Sequence, residues 1–121
     1  MIMVFDANIP IYLQIMKDFK KQIIAGNYKS GEKIASVREL AVSYGVNPNT
    51  VQRSLSELER EGLLYSERTS GRFITKDEEL LKQLKSAYAI ELLDVCIKQL
   101  QELQFDKEAI LKQMKERLEN E

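Results

Sequence analysis

The chain has 121 residues, 44% of them hydrophobic and 31% charged, a balance typical of a globular domain with or without a small appendage. Its single cysteine and its lack of histidine exclude an internal disulfide and a zinc site. The apolar residues 1–5 end at Asp6 with no basic segment before them, so we predict no signal peptide. No segment is apolar enough to cross a membrane, and we expect a cytoplasmic protein without membrane contact.

The net charge of −1 combines two unlike parts. Residues 1–76 carry eleven Lys and Arg against eight Asp and Glu, whereas residues 77–121 carry seven against eleven. The positive first part favours an anionic partner, and the second part is acidic.

The first predicted element is a helix that begins at Pro10. Its apolar residues recur at helical spacing and form one face: Tyr12, Ile15, Phe19 and Ile23. Gly26 is placed to end this helix as a left-handed cap. A turn over residues 27–31 and a short extended segment at Lys33 and Ile34 follow.

Residues 36–64 predict two short helices joined by a tight turn at Gly45. Asn47 is a favourable N-cap for the second helix, and Pro48 suits its first position, where a missing N–H costs nothing. The spacing of these residues is therefore typical of a helix-turn-helix.

The second of these helices has one apolar face and one polar face. Val51, Leu55 and Leu58 form the apolar stripe. The side chains on or beside the opposite face are Asn49, Thr50, Gln52, Arg53 and Ser56. Such a helix can enter the major groove of DNA with its N-terminus first.

A β-hairpin is predicted next. Residues 63–67 and 72–75 read as strands, and residues 68–71 read as the turn between them. Gly71 lies where a positive φ is expected. A helix, a helix-turn-helix and a basic hairpin together make a winged helix.

No glycine or proline follows Gly71, and the remaining chain reads as two helices. Asp77 is placed to cap the first and Asp106 the second, where Phe105 and Ile110 have the spacing of a hydrophobic staple.

The first tail helix carries an apolar stripe that needs a partner to cover it. We assign this stripe to a dimer interface formed by Leu81, Leu84, Tyr88, Leu92 and Val95. The predicted fold is mostly α. An α+β winged helix-turn-helix domain spans residues 1–76, and a two-helix dimerisation tail spans residues 77–121.

With these motifs in place, the first 74 residues resemble the GntR family of bacterial transcription regulators. The motifs occur in order along the chain: PIYLQI (10–15), a Gly-x-x-x-x-Gly-x-x-Ile segment (26–34), SVRELA (36–41), GVNPNTV (45–51), LSELEREGLL (55–64) and SGRFI (70–74). The Asn-Pro-Asn-Thr turn and the short tail are most similar to the small YtrA-type branch. The family usually has Pro where this chain has Ala35, and many members have basic residues at the positions of Pro48 and Gln52.

The resemblance implies DNA contact from three segments. They are Arg38 in the first helix of the helix-turn-helix, Asn47, Asn49, Thr50, Gln52 and Arg53 in the turn and second helix, and Ser70, Gly71 and Arg72 in the wing. Arg68 flanks the same wing turn and is added to this set. Arginine can pair with guanine O6 and N7, and Asn or Gln can pair with adenine N6 and N7.

Two of the arginines have a simpler alternative, a surface ion pair. Arg38 can pair with Glu39 or Glu32, and Arg53 can pair with Glu57 one helical turn away.

Other residues also have alternative interpretations. Asn47 can serve only as a helix cap, and Arg68 and Arg72 can be edge-strand charges that prevent aggregation. Cys96 fits a buried small hydrophobe better than a redox sensor, and Tyr88 fits a core or dimer seam better than a ligand site.

Together these features predict a homodimeric repressor that binds a near-palindromic DNA operator. The family resemblance implies that it regulates its own operon. The YtrA resemblance implies an ABC transporter in that operon. We expect no cofactor, and the sequence leaves open whether a small-molecule effector exists. The rival hypothesis is a winged-helix adaptor that binds protein and no specific DNA. An enzyme is excluded, because no histidine, one helical cysteine and no phosphate loop leave no assembled acid, base or nucleophile.

Overall fold

The computed structural model describes residues 3–120, which contain five helices and two strands. The elements in chain order are α1 (Ile11–Ile24), α2 (Val37–Tyr44), α3 (Pro48–Arg60), β1 (Leu64–Glu67), β2 (Gly71–Ile74), α4 (Glu78–Glu102) and α5 (Lys107–Glu119). This arrangement confirms the predicted fold class, a winged helix-turn-helix followed by two helices. The chain divides into two compact units, Met1–Leu84 and Lys85–Glu121.

Local sequence signals set the ends of the first three helices. Gly26, just past α1, has φ +84°, and Gly45, at the end of α2, has φ +70°, so both adopt the left-handed conformation that glycine tolerates best. Ser36 and Glu39 form a reciprocal capping box at the start of α2. Asn47 caps α3, with its Oδ1 accepting from the Asn49 backbone N at 2.8 Å. The predicted caps are confirmed.

The core of the first unit lies between α1, α2, α3 and the wing. It is formed by Ile15, Met16, Phe19, Ile23, Ile34, Leu40, Ala41, Val51, Leu55, Leu58, Leu63, Leu64 and Ile74. The predicted apolar faces of α1 and α3 are buried here, except that Tyr12 is only half-buried. Ser54 is fully buried, and its hydroxyl lies 2.9 Å from the Tyr12 carbonyl oxygen, which ties α3 to α1.

The wing is an antiparallel pair in which Leu64 faces Ile74 and Glu67 faces Gly71. The second strand begins at Gly71 and not at Arg72 as predicted, because Gly71 is itself paired. Its φ of +110° confirms the expected positive value. The segment before α2 pairs with the other edge of β2: Ile34 N donates to the Arg72 carbonyl at 3.0 Å.

The first unit runs to Leu84, past the boundary predicted after Lys76, because the start of α4 packs against its core. Asp77 N donates to Thr75 Oγ1 and Leu80 N donates to Asp77 Oδ1, each at 3.1 Å, so α4 begins directly after β2. Leu81 and Leu84, which we predicted in an uncovered stripe, are instead half-buried against this core together with Leu80. This part of the stripe is therefore partly covered within the single chain, and its assignment to a dimer interface stays a prediction.

The second unit contains the remainder of α4 and α5. Asp106 caps α5, accepting from Ala109 N at 2.8 Å as predicted, and Ile110 is buried. Gln104, between the helices, has φ +70°, and Phe105 N donates to the Leu100 carbonyl at 3.1 Å to close the end of α4. Cys96 is half-buried. Within residues 3–120, no helix is both long and apolar enough to cross a membrane.

Candidate nucleic-acid interface

Arg38 occupies the second position of α2 and is exposed. Within residues 3–120 its guanidinium has no hydrogen bond or ion pair, and its two candidate partners form other hydrogen bonds. Glu39 Oε1 accepts from Ser36 Oγ at 3.0 Å, and Glu32 Oε1 accepts from Lys29 N at 3.2 Å. The surface ion pair considered as an alternative for Arg38 is therefore not formed.

The N-terminus of α3 presents small polar groups. Asn47 uses its carboxamide oxygen for the cap, so its amide nitrogen remains the group available for an outside partner. Asn49, in the second position of α3, is exposed, and Thr50 is half-buried. These positions carry the side-chain types that read adenine or contact phosphate when a recognition helix enters a groove.

Gln52 and Arg72 connect the recognition helix α3 to the wing. Gln52 Nε2 donates to Ser56 Oγ at 3.3 Å, and Arg72 Nη1 lies 3.5 Å from Gln52 Oε1. Arg72 is half-buried, and its Nε is buried without a hydrogen-bond partner. The structure thus brings together two predicted site residues that lie far apart in sequence, and it orients Arg72 towards α3.

Arg53 does not form the ion pair with Glu57 that was considered as its alternative role. Its guanidinium carbon lies 3.7 Å from the centre of the Tyr12 ring, in a cation–π contact between α3 and α1. Glu57 Oε1 instead lies 3.6 Å from Arg60 Nη1. Sequence periodicity placed Tyr12 in the core and did not predict this contact.

The wing tip is exposed at Arg68, Ser70 and Gly71. Lys33, which was not among the predicted DNA-contacting residues, lies beside the wing tip. A Cβ added at Gly71 would be 3.2 Å from Lys33 Cε. A groove of about 400 Å³ separates the start of α2 from the wing, and its lining includes Lys33, Ser36, Thr69, Ser70 and Arg72. The extended segment predicted at Lys33 could have indicated this position, because a strand beside the hairpin adds its side chains to the wing.

Two tyrosines with shifted pKa values lie in a separate groove between α1 and α2. Burial, together with a hydrogen bond from the Tyr44 hydroxyl to Asp18 Oδ2 at 2.8 Å, raises the pKa of Tyr44 well above its ordinary value. Burial and the nearby Glu32 carboxylate raise the pKa of Tyr28. Both phenols stay neutral near physiological pH, so this polar cluster holds α1 against α2 without changing charge there.

Comparison with known proteins settles the family. The sequence model of a protein family, described as bacterial regulatory proteins, gntR family, matches residues 11–74. This range includes α1, the helix-turn-helix and the wing. The chain belongs to the GntR family. The resemblance inferred from the sequence motifs is confirmed, and because the family consists of DNA-binding transcription regulators, the chain is a regulator and not an enzyme.

Two Bacillus subtilis relatives cover different shares of the chain. The HTH-type transcriptional regulator YhcF is 39% identical over 111 residues, which is 92% of each protein. The HTH-type transcriptional repressor YtrA is 44% identical over 68 residues, which is 56% of this chain and 52% of YtrA. The chain thus matches YhcF along nearly its whole length but spans only about half of YtrA.

Two solved structures are also similar. A GntR family transcriptional regulator from Listeria monocytogenes has a TM-score of 0.84 and 38% identity and covers 93% of this chain and 98% of that one. The DNA-binding domain of AraR, in complex with operator ORX1, has a TM-score of 0.56 and 27% identity and covers 60% of this chain and 93% of that one. The second similarity shows that a related winged helix binds operator DNA.

Proposed function

We propose that this regulator binds a near-palindromic operator as a homodimer and represses its own operon, with ABC transporter genes as the candidate targets. Each winged helix would contact one half-site through the start of α2, the outward face of α3 and the wing. Repression rests on the similarity to the repressor YtrA, and the transporter assignment rests on the sequence motifs that resemble the YtrA-type branch.

The observation that carries DNA binding is that acidic side chains do not neutralise the cations on this surface. Lys33, Arg38, Arg53, Arg68 and Arg72 form no ion pair with a carboxylate within residues 3–120. Arg60, in the last turn of α3, differs from them because it pairs with Glu57. Unpaired guanidinium groups around a recognition helix are what phosphate and guanine contacts require.

The second unit supports the homodimer. Leu92 and Val95 are 58% and 53% exposed, and Tyr88 lies one helical turn before Leu92 on the same side of α4. An acidic tail disfavours contact with DNA phosphates, so an apolar partner surface is needed to cover these residues. A second copy of the same stripe meets that need and also matches the two-fold symmetry of a near-palindrome.

Footprinting of the purified protein on DNA upstream of its own gene tests the proposal. We expect protection of two related half-sites about one helical turn apart, and an affinity that falls steeply as salt rises because released counterions drive binding. A control fragment of equal length from within the coding sequence should bind weakly. The absence of any salt-sensitive complex would reject operator binding and favour the protein-adaptor hypothesis.

A further inference from the structure

Tyr12 is the residue through which α1 reaches the recognition helix. It is the second residue of α1 and is half-buried. Its carbonyl oxygen lies 2.9 Å from Ser54 Oγ, and its ring lies under the Arg53 guanidinium at 3.7 Å. Two neighbouring residues of α3 are therefore held by one residue of α1, one through the backbone and one through the aromatic ring.

The cation–π contact of Arg53 differs from an ion pair in the number of N–H donors that it leaves available. A ring stacked on a guanidinium occupies one face of its plane and leaves the N–H groups, which point outward in the plane, free to donate. An ion pair with Glu57 would instead occupy up to two of those donors, but Glu57 lies beside Arg60. Arg53 is therefore held in place while its hydrogen-bonding edge stays available.

The surroundings of the stack are open to an outside group. A groove of about 310 Å³ runs along this edge of α3 and is lined by Ile11, Tyr12, Asn49, Thr50 and Arg53. Asn49 and Arg53 lie one helical turn apart on the outward face of α3, so both can approach neighbouring bases.

We propose that Tyr12 is a positioning residue that orients Arg53 for a two-pronged contact with O6 and N7 of a guanine in each half-site. This inference rests on the proposed DNA binding and deepens it by naming a base and the residue that prepares its recognition. An arginine fixed before binding loses less rotamer entropy in the complex than a free one, so the stack raises affinity for the correct base specifically.

The test uses the full-length protein and the operator fragment defined by footprinting. Each guanine in a half-site is replaced in turn by 7-deazaguanine, which lacks N7, and binding is measured for the parent, Tyr12→Leu, Tyr12→Phe and Arg53→Gln. Tyr28→Leu is the matched control, because Tyr28 is a half-buried tyrosine that stacks on Phe19 and contacts no arginine. Melting temperatures show that every variant is folded.

We expect Tyr12→Leu to weaken operator binding about three- to fivefold and leave binding to non-specific DNA unchanged at the same salt. Tyr12→Phe keeps the ring and should bind within about twofold of the parent. One 7-deazaguanine should cost the parent affinity, cost Tyr12→Leu less, and cost Arg53→Gln nothing. In the Arg53→Gln background, Tyr12→Leu should have no further effect.

Four results would overturn the inference. Equal losses on operator and non-specific DNA would make Tyr12 a structural residue only, as would the same loss for Tyr28→Leu. An Arg53→Gln variant that retains the full 7-deazaguanine penalty and only reduces the salt dependence would make Arg53 a phosphate contact. A parent protein that protects no DNA would reject the proposed function itself, and that outcome is visible before any variant is compared.

Discussion

The two compact units differ in how far their large apolar side chains are buried. In the first unit Ile15, Phe19 and Leu58 are fully buried, and the exposed positions around α3 and the wing are largely polar or basic. In the second unit Leu92 is more than half exposed, as is Leu103, while Ile110 is buried. The first unit holds a core of its own and offers charge to a partner, whereas the second offers apolar surface. This difference supports the proposed division of partners, with DNA at the surface of the first unit and a second protein copy at the surface of the second.

Truncation separates the two units most directly. A chain ending at Leu84 should remain folded but monomeric, and its operator affinity should fall by a factor of about 10² or more, because two separate monomers lose the linkage between half-sites. A chain ending at Thr75 also loses Leu80, Leu81 and Leu84. Its free energy of unfolding should therefore be about 2–4 kcal/mol lower than that of the chain ending at Leu84. Light scattering, gel shifts and chemical denaturation measure these effects. A chain ending at Leu84 that is still dimeric would place the interface in the first unit.

A single charge in the apolar stripe should break the proposed dimer without unfolding the protein. Leu92→Glu puts a carboxylate at a position that is 58% exposed in one copy, so the monomer tolerates it but a covered interface does not. We expect mostly monomers at micromolar concentration by sedimentation. Val42→Glu, at a 79% exposed apolar position on α2, is the control and should leave the oligomeric state unchanged. Dimers of equal strength in both variants would exclude Leu92 from the interface.

A substitution at Arg38 tests the surface of the first unit that is proposed to bind DNA. Arg38→Ala should weaken operator binding by about 1–3 kcal/mol if the guanidinium contacts a base. The melting temperature should stay the same, because Arg38 has no partner within residues 3–120 to lose. Arg117→Ala in α5 removes the same charge from the second unit and should bind DNA as the parent does. Unchanged affinity for Arg38→Ala at fixed salt would remove this residue from the interface.

Gly71→Val should damage the wing in two ways. The φ of +110° is unfavourable for a β-branched residue, and the new Cβ would lie 3.2 Å from Lys33 Cε, which displaces that lysine from the tip. We expect weaker DNA binding by roughly tenfold, equivalent to 1.4 kcal/mol. Gel shifts measure it, with Gly26→Val as a control for glycine loss away from the wing. Parent-like binding by Gly71→Val would show that the wing tip does not approach DNA.

The smallest expected effect concerns pH. The chain has no histidine, and Tyr44 stays neutral, so operator affinity should change little between about pH 6 and pH 8. Because the folded state raises the pKa of Tyr44, its contribution is fully present below the unfolded pKa and is lost as pH rises beyond about 10. Tyr44→Phe should lower stability by about 1 kcal/mol at neutral pH through the lost hydrogen bond to Asp18, yet reduce the alkaline loss. Urea denaturation at several pH values measures both, and an undiminished alkaline loss would contradict the assignment to Tyr44.

The sequence predicted what depends on local geometry. Gly26, Gly45, Asn47 and Asp106 all act as the helix ends and caps expected of them, because capping involves atoms within a few residues. The family motifs also led to the correct fold and class of protein. The DNA contacts, the half-site geometry and the dimer remain predictions that the experiments above address.

Features that depend on packing between distant segments were not predictable. Leu81 and Leu84 look like part of one helical stripe, and only the short link from β2 to α4 shows that the core covers them. The stack of Arg53 on Tyr12 and the position of Lys33 beside Gly71 also join residues that lie about 40 positions apart. Periodicity reports which face of a helix is apolar, but not which neighbour that face meets.

The pairing of β2 on both edges has a consequence for measuring stability inside the complex. Ile74 N donates to the Glu32 carbonyl at 2.8 Å, and Ile34 N donates to the Arg72 carbonyl at 3.0 Å. Both amides lie in the buried part of the wing, so their hydrogens should exchange with solvent only when the first unit opens as a whole. A ligand that binds only the closed form slows such exchange by a factor that rises with the ratio of free ligand concentration to its Kd. Deuterium uptake at Ile34 and Ile74 can therefore serve as an unlabelled reporter of operator binding, located in the wing itself.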